Sequence, residues 1–123
     1  MTDVLTMNEK MYIASNLKEL LSQSYKEFQR WKSSRNEVFL QQACEKVFSA
    51  LEHFVELRRN INIHSHADFS REFRLLSKTD ADRLIPLANY LHRFFYEGQG
   101  LDADFGVIEK DYLVVYKFLK VKS

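Results

Sequence analysis

Three glycines and one proline are all the conformational punctuation this chain has across 123 residues. Hairpin turns draw on residues that tolerate positive φ or preset it, so a sheet with many tight turns is poorly served by so few. Long helices with few joints are well served. The apolar residues agree. Ile13, Leu17, Leu20, Leu21, Ser24, Phe28 and Trp31 recur at three- and four-residue steps, with Lys18, Glu19, Lys26, Glu27 and Arg30 between them. That spacing predicts a first helix over about residues 10–32.

After a polar joint at Lys32–Glu37, where Ser34 or Asn36 can cap, a second helix is expected over Glu37–Arg59. Its stripe of Leu40, Cys44, Val47, Leu51 and Phe54 is widened by Phe39, Ala43, Ala50 and Leu57, with Phe48 and Val55 on a further face. A stripe that wide needs more than one neighbour, which makes this the central helix, with Cys44 as a small buried apolar residue. Phe69, Phe73 and Leu76 mark a short third helix. Thr79–Asp82 then has the form of a capping box opening a fourth, whose inward face is Leu84, Leu87, Ala88, Leu91, Phe94 and Phe95. Pro86 should kink this helix or confine its start to a preliminary turn, and Gly98 and Gly100 should end it. Phe105, Ile108, Tyr112, Val115 and Leu119 keep helical spacing. Tyr112–Leu119 is rich in β-formers, yet a lone strand would have no partner, so a helix is expected.

The whole is one domain over residues 1–123: an all-α, up-and-down bundle of four or five helices, frayed at about 1–10 and 120–123. The formal net charge of +1, from 18 basic and 17 acidic residues, is low for a protein that holds nucleic acid over many phosphates. A locally positive groove, or one assembled by a dimer, stays open. The single cysteine excludes an internal disulfide and fits a reducing, cytoplasmic setting. No apolar run has the length of a membrane span, and no signal peptide is expected.

Gln41–Arg58 resembles the second helix of HEPN-domain proteins, with Ala43, Glu45-Lys46, Val47-Phe48 and Ala50-Leu51 in the places where that family shows an alanine, Glu-Lys, an apolar residue and Ala-Leu. His66-Ala67-Asp68-Phe69, or His64, answers to the histidine that opens the family's third helix. Leu87–Gly98, with its alanine, Leu-His pair and aromatic-Tyr-Glu run, is similar to the late helix of the archaeal PaREP1-like branch. The likeness spans about residues 12–119. It implies a helical bundle that often forms homodimers. It also implies either a non-catalytic binding module or a ribonuclease of toxin–antitoxin type paired with a nucleotidyltransferase-like protein.

The polar stretch Glu56–Phe69 is where those alternatives divide. Arg59 and His64 fit the family's Arg-x(4–6)-His ribonuclease pattern, with Asn60 directly after the arginine. A histidine can take the proton from a ribose 2′-hydroxyl, and an arginine can hold the scissile phosphate, with Asn60 orienting either. No metal or other cofactor is needed. The motif lies between the second and third helices rather than late in the domain, and one of its histidines is expected simply to begin helix three. His64, His66 and Asp68 would share one side of an extended stretch, but the segment should turn into a helix, so no metal centre is assigned. His66, His92 and Tyr96 are the candidate binding residues, with His92 and Tyr96 one helical turn apart; for His92 the simpler expectation is a half-buried ring bonded to a neighbouring side chain. His53 is expected at the edge of the second helix's stripe. The favoured function is a non-enzymatic binding or regulatory module acting with a nucleotidyltransferase-like partner, RNA or a nucleotide. A metal-independent ribonuclease using Arg59, Asn60 and His64 is the alternative.

Overall fold

A computed structural model describes residues 4–98 and 104–123. Five helices account for nearly all of them: α1 (Met7–Ser34), α2 (Glu37–Arg59), α3 (His66–Leu76), α4 (Lys78–Glu97) and α5 (Phe105–Lys122). The fold is an all-α helical bundle, as expected, and the β-rich Tyr112–Leu119 segment is helical. Its branched and aromatic residues are held in a helix by burial, since Tyr112, Val115 and Leu119 are wholly enclosed.

α2 is the central element and contacts all four of the others. It runs antiparallel to α1, so that Lys46 meets Glu27 and His53 meets Asn16. It is also antiparallel to α4, with Glu45 against His92, and parallel to α5, with Phe54 against Phe118. The inward stripes predicted for α1 and α2 are buried almost residue for residue, including Ser24. Ser24 is tolerated there because its hydroxyl donates to Leu21 O at 2.8 Å and shares a 3.0 Å hydrogen bond with the Tyr112 hydroxyl on α5. Burial pushes the Tyr112 phenol and the Cys44 thiol far above their ordinary ionisation ranges, so both stay neutral core groups.

The boundaries differ at three places. α1 begins at Met7 rather than near residue 10, because Thr6 and Glu9 form a reciprocal capping box. The start expected to fray is therefore helical from Met7, and Val4 forms an antiparallel bridge with Ile61. At the other end α5 is helical to Lys122; residues 1–3 lie outside the described residues. α4 begins at Lys78, not after Thr79. Ser77 is its N-cap, accepting from the Asp80 N–H at 3.3 Å, and the same residue closes α3 by donating its own N–H to Phe73 O. Pro86 lies on an exposed face of α4 and the helix runs through it to Glu97. Gly98 caps it with φ +51°; Gly100 lies outside the described residues. Of the expected inward residues, Leu20, Phe39, Leu57, Leu76, Leu87 and Phe95 are half-buried, and Phe105 is exposed while its ring meets Trp31.

Candidate functional site

α2 stops at Arg59 because Asn60 adopts left-handed backbone (φ 59°, ψ 46°), a conformation asparagine accepts more readily than most residues. The N–H groups of Asn60 and Ile61 both return to Glu56 O. Four residues on, Ser65 caps α3 by accepting from the Asp68 N–H, and Asp68 reaches back to accept from the His64 N–H at 3.3 Å. Thus His66 is the first residue of α3, and a histidine does begin the third helix.

The arginines are committed to structure. Arg59 Nε donates to Glu72 Oε1 at 3.0 Å, and Arg71 Nε lies 3.3 Å from Glu72 Oε2. Glu72 is only 6% exposed, so these cations make its burial tolerable. Arg58 lies over the Phe54 ring at 4.8 Å and donates to Lys122 O. Asn60 Oδ1 is enclosed without a hydrogen-bond partner among the described residues. Its observed contribution is the turn that ends α2. His64 is exposed on the loop, whereas Arg59 is bonded to Glu72 on α3. Asp68 is occupied by Arg71 at 2.8 Å, which with the His64 N–H holds its carboxyl below the usual range. The His64/His66/Asp68 alternation is not realised, because His66 and Asp68 are already helical. Among the described residues, no group of three or more metal-ligating side chains is arranged around a common point.

The three candidate binding residues do come together. His66 and His92 ring centroids are 4.9 Å apart, and His92 meets Tyr96 edge-on at 4.8 Å. Phe48 supplies the floor, stacked on His92 at 4.4 Å. His92 Nδ1 donates to Glu45 Oε2 at 3.1 Å, which is the bonded, half-buried ring expected for it. Tyr96, 72% exposed, is the outer rim of this cluster.

A second polar assembly was missed. His53 is no mere edge residue: Nδ1 donates to Glu56 Oε1 at 2.7 Å while Nε2 accepts from the Asn16 amide at 2.9 Å. Glu56, 8% exposed, also accepts from the Ile63 N–H at 3.0 Å. Glu52 lies beside it, and burial, then the neighbouring Glu56 and Glu45 charges, raise its carboxyl to about 7. Hollows of about 470 and 300 Å³ flank His53 on the α1/α2 face. The signal was present in the sequence: Glu45, Ser49, Glu52 and Glu56 fall on one line of α2, beside its broad apolar stripe. Both His53 nitrogens are engaged within the assembly, on Glu56 and Asn16.

Fold and site together define a helical bundle in which Arg59 turns to Glu72 and His66, His92 and Tyr96 meet at one seam. No family model, curated protein or solved structure matches the chain. Among the described residues no helix is long and apolar enough to cross a membrane.

Proposed function

We propose that this chain is a HEPN-like, non-enzymatic binding or regulatory module, working in the cytoplasm as a homodimer with a nucleotidyltransferase-like partner or nucleic acid. The observation that carries this reading is the Arg59–Glu72 pair. A phosphate-holding guanidinium must present its donors to the ligand, and here Nε is given to a buried carboxylate. The competing reading, a metal-independent ribonuclease using Arg59, Asn60 and His64, requires the Arg59 Nη groups to reach a phosphate while Nε stays on Glu72, or Arg59 to leave Glu72 to Arg71 alone. The His66/His92/Tyr96 cluster supports binding, since it joins an exposed phenol to two imidazoles on a rigid apolar floor.

The test is incubation of the purified protein with a varied RNA pool in the presence of chelator. No cleavage is expected. Cleavage that disappears in Arg59→Ala and His64→Ala, with helical circular dichroism retained, would overturn the proposal in favour of the ribonuclease. Sedimentation at tens of micromolar tests the homodimer, and a monomer there removes it. Capture of the product of the adjacent gene, if nucleotidyltransferase-like, should weaken in Tyr96→Ala; undiminished capture would exclude the ring cluster as the docking edge.

A further inference from the structure

On the opposite side of α1 from His53, the seam between α1 and α5 opens into a groove of about 460 Å³. Lys18 and Lys26 border it from α1 and Lys120 from α5; Tyr25, Gln29 and Tyr116 line it between them. No Asp or Glu side chain lines it. None of the three lysines forms an ion pair among the described residues. The same seam shows what happens when a carboxylate is present: further along, Lys32 and Arg35 both converge on Glu109.

The floor of the groove is aromatic and ordered. Phe28 and Tyr112 stack at 4.6 Å in the core, and Tyr112 leads to Tyr116 at 5.8 Å and an interplanar angle of 19°. Tyr116 in turn stacks on Tyr25 at 4.8 Å and 21°, and Tyr25 is 37% exposed. Tyr25 also lies 6.4 Å from Phe28 at 27°, so the rings form two cross-helix stacked pairs, Phe28–Tyr112 in the core and Tyr25–Tyr116 at the groove, the outer pair flanked by lysines.

We infer that this α1/α5 groove binds single-stranded nucleic acid, with backbone phosphates on Lys18, Lys26 and Lys120 and a base extending the Tyr25–Tyr116 stack. Unpaired cations supply charge complementarity to phosphate, and every base has a π-face that a stacked ring can accept. From Lys18 to Gln29 the groove follows α1 for about 16 Å at about 1.5 Å per residue, room for a few nucleotides. Helices packed at about 8–10 Å leave a cleft too narrow for a duplex. A concave site with a stacked ring pair between its lysines suits a strand laid along it better than a flat anionic bilayer. The inference deepens the binding-module reading and rests on it only in taking the protein to be a binder.

The test is fluorescence anisotropy with a labelled oligouridylate, titrated with salt. Three phosphate contacts at about 0.7 each predict a log–log slope of about −2. Lys18→Ala, Lys26→Ala and Lys120→Ala should each flatten that slope by about 0.7, while Lys110→Ala, outside the groove, should not. Tyr25→Ala should weaken binding about fivefold or more with the slope unchanged, and Tyr25→Phe should restore it. Circular dichroism of each variant reports the fold; should Tyr25→Ala unfold, the lysine series alone decides. No binding at low salt overturns the proposal, as does equal loss in Lys110→Ala, or binding to phosphatidylserine vesicles without binding to the oligonucleotide. In each of these cases the RNA-pool and partner-capture results still stand or fall by themselves.

Discussion

The two sides of α1 make opposite uses of polar residues. Towards α2, Asn16, His53, Glu56 and the Ile63 N–H form a chain of hydrogen bonds in which each group is spent on another part of the same molecule. Towards α5, Lys18, Lys26 and Lys120 are left without carboxylate partners among the described residues. The side with the more catalytic-looking residues is thus the less available one. Half-buried polar groups must be satisfied internally, whereas solvated lysines keep their donors in reserve. Arg59 teaches a related lesson: its residue type fits phosphate chemistry, but one edge of its guanidinium fork, Nε, is held by Glu72.

Substitutions can break this contrast. The largest effect is expected from Tyr112→Ala, which removes a fully buried ring stacked on both Phe28 and Tyr116. A loss of about 3–5 kcal/mol in urea unfolding, with the α1/α5 groove collapsed, is the expected outcome. Next comes Glu56→Ala, which strands the His53 imidazole and the Ile63 N–H at once; about 2–3 kcal/mol should be lost, and hydrogen exchange should quicken at 60–63.

Glu52→Gln should act in the other direction. Burial raises the folded carboxyl from 4.5 to about 7, so folding favours its protonated form. That contribution is complete below about pH 4.5, falls as pH rises towards about 7, and is absent above it. Removing the charge should stabilise the protein at pH 8 by about 1–2 kcal/mol, solvent screening of a partly exposed group having reduced the gain, and should flatten the pH dependence of the urea midpoint. An unchanged pH profile would mean that Glu52 is as well solvated as an ordinary surface carboxylate. Smallest is Tyr112→Phe, which keeps the ring and removes only the bond to Ser24, for about 0.5–1.5 kcal/mol.

Much of the bundle was legible because helix faces are periodic and their caps are local. α2 was bounded at Glu37 and Arg59, and Asn36, one of two candidate caps, is the one that closes on the Val38 N–H. The start of α1 was missed because Met7 and Met11 are exposed and carry no periodic signal before Ile13. The start of α4 was missed because Ser77-x-x-Asp80 and Thr79-x-x-Asp82 are the same pattern two residues apart. Only the close packing of α3 against α4 chooses between them. At the candidate site, a helix-opening histidine was expected from the resemblance, with His64 and His66 both open, and Ser65 capping selects His66. The partners of Arg59 and His53 were not legible: Glu72 is on the next helix and Asn16 lies 37 residues back. Spacing rules reach one turn, and these contacts are made by tertiary packing.

Ser77 ends one helix and begins the next with no residue to spare. The corner is therefore geared rather than hinged, with the phase of α4 set by the last turn of α3. A single residue inserted there would advance α4 by about 100° about its axis. That rotation would carry Leu84, Ala88 and Leu91 towards solvent and lift His92 off Phe48 and Glu45 together. Chain length at this corner, more than the identity of any one residue along α4, keeps the ring cluster in register.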